Sequence, residues 1–247
     1  MGRMDLERFL RCRLLPNDDG YIDMGFPPAT GPPYQPWGIT IYRTAYGTTP
    51  TTPDSDRHWQ MLLESIQAHM CEEIFNQVDP DNEKTADAGR KLLALFRLDA
   101  RSDAQALAGG SLDQLRAIWK VGGAGGEPVI SSRLLRQTRV FLVADEEVLA
   151  RVARQAQREA GDEEGQEEGE PFVKCVEVDY RDEDHRPRPN NRMGCPQLYF
   201  GWAKLATSSL LRFWVVLENG GHLQDFVPTG PWLKPKEKIW IGDNEGW

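Results

Sequence analysis

The sequence predicts an α+β fold, a ferredoxin-like split βαβ sheet with a helical insertion and with extensions at both ends. The first observation is the order of its segments, which reads β-α-β, then β-α-β, then a final helix. The second is residues 123–137, which read as a loop that returns directly to a strand. An open α/β sheet with parallel crossovers is the alternative, because strands and helices nearly alternate along the chain.

The first half begins with a predicted strand in GITIYRTAY, residues 38–46, which is rich in β-branched and aromatic residues. A proline-bearing loop leads to residues 54–56, whose side-chain oxygens suit a helix N-cap. Apolar residues then recur at helical spacing, namely Trp59, Leu62, Leu63, Ile66, Met70 and Ile74. Residues 91–100, KLLALFRLDA, predict the second strand, and a short helix follows over residues 111–122.

The second half repeats this order of elements. TRVFLVA, residues 138–144, predicts a strand that leads directly into a helix over residues 145–160. FVKCVEVDY, residues 172–180, predicts the fourth strand. The later part of residues 201–221 reads as a buried helix that ends at a glycine, and KIWIG, residues 238–242, reads as an edge strand.

We expect one domain over residues 1–247, since this length suffices for a core without disulfide or metal staples. It would carry a Pro/Gly-rich N-terminal extension, residues 1–37, and a C-terminal extension, residues 221–247. The run GDEEGQEEGE, residues 161–170, contains six acidic and no basic residues and predicts a disordered loop. Without that run the formal net charge would be −3 instead of −9.

Composition also limits the partners and the compartment. The acidic balance argues against nucleic-acid binding, and no apolar run approaches the roughly 20 residues that span a bilayer. The four cysteines are far apart and show no C-x-x-C spacing, which favours a reducing compartment over a disulfide framework. The first residues lack the apolar core of a secretory signal. These features predict a cytoplasmic protein that binds neither nucleic acid nor membrane.

Strand alternation places single charges among apolar neighbours. In the first strand Arg43 shares a face with two isoleucines, and Tyr42 lies on the opposite face. Arg97 in the second strand and Glu177 in the fourth strand also share a face with apolar residues. The ferredoxin-like plan puts the first and fourth strands side by side, so we expect Glu177 to pair with Arg43. Arg97, at the far edge, is then left to bind a carboxylate or phosphate. The other interpretation is a structural ion pair with an exposed arginine, which needs no ligand.

The remaining motifs carry little chemistry. Lys204 lies in GWAKL, where a lysine held against aromatics either has a lowered pKa or extends from an interface towards water. His58 and His69 are too far apart in sequence to share a metal ion, and the polar loop after the fourth strand shows no metal-site spacing. Nucleophile and phosphate-loop motifs are absent. We therefore predict no metal and no cofactor, and assign no catalytic residue.

Three short motifs, taken together, carry a resemblance. They are the Tyr-Arg strand with the S-D-x-x-W helix start at residues 42–43 and 55–59, D-E-E-V-L at residues 145–149, and G-W-x-K at residues 201–204. In this order, over residues 37–220, they resemble a widespread group of cytosolic proteins of filamentous fungi, a group of uncharacterised function. The resemblance implies a fungal source and a single domain, and it implies no activity and no catalytic residue.

Two functional hypotheses follow from these features. The first is a binding or interaction module that uses one sheet face and a tryptophan-rich tail, with Trp232, Trp240 and Trp247, to bind an unknown protein partner or a second copy of the chain. The alternative is a small-molecule enzyme or ligand-binding protein that recognises an anionic metabolite through Arg43 and Arg97, together with Tyr42 on the first strand. Glu177 and Lys204 complete the set of candidate ligand-binding residues.

Overall fold

A six-stranded mixed sheet forms the centre of the structure. The structure, a computed structural model, describes residues 4–12, 34, 36–47, 54–122, 139–159, 170–186, 197–227 and 237–242. Its strands are β1 (Trp37–Arg43), β2 (Phe96–Arg101), β3 (Val140–Ala144), β4 (Phe172–Glu177), β5 (Trp202–Ala206) and β6 (Ile239–Trp240). They lie in the order β2-β1-β3-β4-β5-β6, and pairing is parallel except between β3 and β4 and between β4 and β5.

Helices surround this sheet, so the predicted mixture of α and β structure is confirmed. They are α1 (Leu6–Arg11), α2 (Ser55–Gln77), α3 (Glu83–Leu95), α4 (Ala104–Leu107), α5 (Leu112–Lys120), α6 (Glu146–Glu159), α7 (Asp182–His185) and α8 (Leu210–Glu218). Short 3₁₀ turns cover Thr207–Ser209 and Leu223–Phe226. Within the described ranges, no helix is both long enough and apolar enough to cross a membrane.

The ferredoxin-like strand order is not confirmed. That plan places β1 beside β4, whereas β1 lies between β2 and β3, and β4 lies between β3 and β5. The physical reason is the parallel pairing of β1 with both neighbours, which buries β1 along its whole length. For β1, β2 and β3, the arrangement agrees with the alternative of an open sheet with parallel crossovers.

The second strand begins later than expected. Residues 91–95, predicted as strand, are the last turn of α3, and β2 begins at Phe96. Ala88, Gly89 and Leu92 form the buried side of α3 at helical spacing, and Leu and Ala are strong helix formers. The apolar run at residues 91–95 suits a helix as well as a strand. The tertiary contacts of the buried side of α3 therefore decide that this segment is helical.

Helices cover both faces of the inner strands. The first face carries Trp37, Ile39 and Ile41 of β1 and packs in one core with apolar side chains of α1, α2, α3, α6 and α8. The second face carries Tyr42, Phe141, Val143, Val176 and Val178, which pack with Leu107, Leu115 and Trp119 of α4 and α5. The first functional hypothesis needs one sheet face to be open to a partner, but at β1 and β3 both faces are covered, because α4 and α5 pack on the second face.

Five of the six described strands, all except β4, end at one edge of the sheet, here named the carboxyl edge. β1, β3 and β5 point the same way, since β3 and β5 both run antiparallel to β4. The helical segments that begin at Ser55, Glu146 and Thr207 follow these strands. Arg43 is the last residue of β1 at this edge, and Asp145 and Glu147 follow the end of β3 there.

Candidate functional site

Two lysines lie directly opposite each other in the middle of the sheet. Lys174 of β4 pairs in register with Lys204 of β5, and Lys174 is also opposite Val143, the penultimate residue of β3. Like charges directly opposite on neighbouring strands destabilise a sheet. An anion is therefore needed between the two ammonium groups.

Glu147 supplies that anion from the first turn of α6. One carboxylate oxygen lies 2.7 Å from Lys174 Nζ, and the other accepts a short hydrogen bond from Lys204 Nζ. Asp145 contacts Lys174 at 2.5 Å, and its other oxygen accepts from the backbone N–H of Val148. The four charges balance, and each oxygen of Glu147 is held by a different lysine.

Burial differs sharply across this group. The side chains of Lys174 and Lys204 are 14% and 8% exposed, whereas that of Glu147 is 47% exposed. The ring of Trp202 lies 5.5 Å from Lys174 Nζ, and the ring of Phe172 lies 4.8 Å from Lys204 Nζ. Cations near aromatic faces are stabilised by the ring quadrupole. The two ammonium groups thus form the floor of the site, and Glu147 forms its water-facing side.

The protonation states follow from these contacts. Burial alone would raise the pKa of Glu147, but hydrogen bonds from Lys174 and Lys204 outweigh it and lower that pKa. For Lys174, burial works to lower the pKa, yet the hydrogen bond and charge of Asp145, with those of Glu147, raise it overall. Lys174 is accordingly a cation at neutral pH, which suits anion binding and not nucleophilic attack.

Arg43 and Glu177 do not pair, so that expectation is wrong. Arg43 contacts Asp56 at 2.6 Å and donates to Ser55, both in the first turn of α2. Glu177 accepts a hydrogen bond of 2.5 Å from the hydroxyl of Tyr199. The cause is the strand order, because β3 separates β1 from β4.

The other predicted site residues lie apart from the lysine pair. Tyr42 is fully buried on the second face, where its ring packs edge-on against Phe141 at 5.4 Å. Arg97 is exposed, and its guanidinium donates to the carbonyls of Ala94 and Phe96 at the end of α3. The structure therefore brings only Lys204 of the predicted set into this site.

A second polar network lies at the opposite edge of the sheet. Arg116 of α5 donates to the carbonyls of Glu177 and Gly201, and its guanidinium lies over the ring of Tyr180 at 5.1 Å. Burial, with the hydrogen bond to Glu177, raises the pKa of Tyr199 far above its usual range. These contacts join the end of β4 to the start of β5, which is a structural role.

Sequence reasoning missed Asp145, Glu147 and Lys174 as site residues. One signal was available, because alternation puts Lys174 between Phe172 and Val176 on one side of a buried strand. Its acidic partners carried no such signal. Acidic residues in the first turn of a helix are common, since they favour the helix dipole.

Comparison with protein-family models, with curated proteins and with solved structures finds no match. The fungal resemblance therefore stays a prediction. Among the residues that the structure describes, no three His, Cys, Asp or Glu side chains are grouped so as to hold a metal ion.

Proposed function

We propose that this protein binds an anionic small molecule, a carboxylate or a phosphate, through Lys174 and Lys204. One observation carries the proposal: the carboxylate of Glu147 already lies between the two ammonium groups, with one oxygen on each. This is the geometry that a bound carboxylate or phosphate would need. The proposal keeps the anionic ligand expected from the sequence but replaces Arg43 and Arg97, whose guanidinium groups bond within the fold.

The energetics favour a binding role over a structural one. Two buried cations with their counter-ions stabilise a fold little more than apolar residues of similar volume would, because the cost of desolvating the charges offsets their attraction. The neighbouring positions of this sheet are apolar, including Val143, Val176 and Leu205. An apolar pair at 174 and 204 would fit such a sheet, so the lysines call for a further role.

The test is anion binding measured by isothermal titration calorimetry with acetate, citrate and inorganic phosphate. Lys204→Met should weaken binding by at least roughly tenfold, since it removes one of the two cations. Lys91→Met is the matched control, because Lys91 is an exposed lysine paired with a carboxylate on α3. Lys204→Arg keeps the charge and should retain measurable binding.

Two results would contradict the proposal. The first is a wild-type protein that binds none of the three anions at millimolar concentration. The second is equal weakening by Lys204→Met and Lys91→Met, which would reflect net charge and not the site. Thermal unfolding of each variant shows whether a loss of binding comes from a loss of the fold.

A second candidate function is self-association or partner binding through the edge of the sheet. Ile241 follows β6, the last strand of the described sheet, and is 57% exposed. An apolar side chain beside an edge strand favours strand-to-strand contact. The expected role of Trp240 changes, since it is buried against Phe213 and Phe226, while Trp232 and Trp247 lie outside the described residues.

Light scattering over a concentration series tests this second candidate. The wild-type protein should form dimers or larger species as its concentration rises, and Ile241→Ser should reduce them. A wild-type protein that stays monomeric at every concentration would rule out self-association. A cytoplasmic location and the absence of a nucleic-acid partner stay predictions from composition.

A further inference from the structure

We propose that Glu147 is an internal competitor for the lysine pair, which an incoming carboxylate or phosphate displaces into water. The inference rests on the proposed function and adds its regulation. Ligand affinity would then depend on a residue that belongs to α6 and not to the strands.

Glu147 is the member of the cluster that can leave at least cost. Its side chain is half exposed, so moving it into water requires no opening of the core. Asp145 has two fixed roles, because it binds Lys174 and also accepts from the backbone N–H of Val148. Displacing Asp145 would remove a cap of α6, whereas displacing Glu147 breaks only its contacts with the lysines.

The departure of Glu147 leaves one cation without an acidic partner. In the part of the chain that the structure describes, Glu147 is the sole carboxylate within ion-pair distance of Lys204. Lys174 keeps Asp145. The position vacated by Glu147 therefore faces one unpaired ammonium group and one paired ammonium group, and a single anionic group fills it.

Exchange of Glu147 for a ligand replaces one anion by another. A monoanionic carboxylate leaves the charge of the site unchanged, whereas a phosphate dianion adds one negative charge. The wild-type protein binds the ligand only in the fraction of molecules whose Glu147 side chain has left the two lysines. Its apparent dissociation constant is therefore the intrinsic dissociation constant divided by that fraction. Weakening the internal contact should therefore tighten binding.

Glu147→Gln is the decisive variant. A glutamine carries no charge and offers a single acceptor oxygen, so it cannot neutralise two lysines. Glu146→Gln is the matched control, because Glu146 is an exposed acid in the same turn of α6. Titration calorimetry with acetate and with inorganic phosphate should show binding about tenfold tighter for Glu147→Gln and unchanged for Glu146→Gln. Comparison of the two anions shows whether carboxylate or phosphate is preferred.

A second measurement keeps the test independent of that variant's folding. In wild-type protein labelled with ¹³C at glutamate side chains, the pKa of Glu147 should rise towards its usual value when acetate saturates the site. The lysine hydrogen bonds that lower it would then be lost. A Glu147 pKa that stays low in the saturated protein would overturn the inference.

The possible failures are distinguishable. If wild-type protein binds acetate or phosphate and Glu147→Gln binds no tighter, the competitor role fails while the proposed function stands. Equal tightening by Glu147→Gln and Glu146→Gln also overturns the competitor role, since it indicates a general charge effect. If neither wild type nor Glu147→Gln binds either anion, the proposed function fails and this inference fails with it.

Discussion

The guanidinium of Arg43 lies 2.6 Å from the carboxylate of Asp56, thirteen residues further along the chain. It also donates to the hydroxyl of Ser55 at 2.5 Å and to the carbonyl of Ala45 at 2.8 Å. Its side chain is 5% exposed, whereas that of Asp56 is 92% exposed. The arginine therefore links the end of β1 to the start of α2 through the buried hydroxyl of Ser55 and the exposed carboxylate of Asp56.

This asymmetry predicts unequal effects of removing the two partners. Arg43→Met should lower the free energy of unfolding by about 2 kcal/mol, because the buried hydroxyl of Ser55 and the partly buried carbonyl of Ala45 lose a donor. Asp56→Asn should change it much less, since Asp56 is solvated and a surface ion pair contributes little. Urea denaturation of both variants measures the difference, and losses of equal size would show that the ion pair itself dominates.

Tyr42 provides a prediction of the opposite sign. Its hydroxyl is buried and has no hydrogen-bond partner among the described residues. Tyr42→Phe should therefore raise the free energy of unfolding by about 1 kcal/mol, because the cost of an unsatisfied buried group disappears. Tyr199→Phe is the control, since Tyr199 donates to Glu177, and it should be destabilising. Thermal denaturation that ranks both variants below the wild type would contradict this account of Tyr42.

Glu73 predicts a dependence of stability on pH. Burial raises its pKa to about 7, although the backbone N–H of Leu211 and the charge of Arg212 act to lower it. Between pH 4.5 and 7 the folded protein holds a proton that the unfolded chain, with its ordinary pKa of 4.5, releases. The contribution of Glu73 to the free energy of unfolding is therefore fully present below pH 4.5. It is lost as the pH rises towards 7 and stays lost above pH 7.

We expect this loss of stability to be on the order of 2 kcal/mol. It is smaller than the free energy that corresponds to the full pKa shift, because Glu73 is partly accessible to solvent. Glu73→Gln should flatten the decrease between pH 4.5 and 7 while keeping an acceptor for the N-terminus of α8. Glu64→Gln, at an exposed position on α2, should leave the decrease unchanged. Glu147 acts in the other direction, since its lowered pKa makes its contribution disappear only as pH falls below 4.5. Denaturant titrations between pH 4.5 and 7 measure the effect of Glu73, and titrations continued below pH 4.5 measure that of Glu147.

Gly38 tests the parallel pairing of β1 with β2. Its φ is 151°, and a Cβ there would lie 1.7 Å from the carbonyl oxygen of Arg97 on β2. Gly38→Ala should therefore cost more than about 3 kcal/mol or prevent folding, because the backbone of the two strands must separate. At Gly109, φ is 65° and no atom lies within 4 Å of the added Cβ, so Gly109→Ala should cost about 1 kcal/mol. Circular dichroism and denaturation compare the two, and similar losses would contradict this strand register.

Several elements follow from local patterns, and these were predicted well. The helical spacing of the apolar residues that begin at Trp59 predicts α2, and Trp59, Leu62 and Ile66 are buried in it. The strand at β3 and the helix that follows it also appear at the predicted positions. Local patterns suffice here because the side chains that define each pattern all pack on one neighbouring layer.

The partners of charged residues depend on a different kind of information. Alternation shows that Arg43 and Glu177 each interrupt an apolar strand, but it contains nothing about which strands are neighbours. The order β2-β1-β3-β4-β5-β6 is a property of the tertiary pairing of the strands, and it separates these two residues. An error in strand order therefore became an error in ion pairing.

The tyrosines near Arg43 illustrate the same limit within one segment. Alternation extended past the end of β1 would put Arg43 opposite Tyr46, yet the Arg43 guanidinium lies over the Tyr46 ring at 4.6 Å. β1 ends at Arg43, so the following residues turn back towards it. A face assignment is valid only as far as the strand continues.

The amino-acid sequence alone determines the class of the fold, the positions of most helices and strands, and the presence of lysines and arginines in apolar settings. These depend on periodicity and composition, which act over a few residues. Tertiary structure alone decides that Lys174 and Lys204 meet across two strands and that Glu147 reaches both from α6. The reason is distance along the chain, since ion pairs depend on which elements pack together and not on the sequence around either partner.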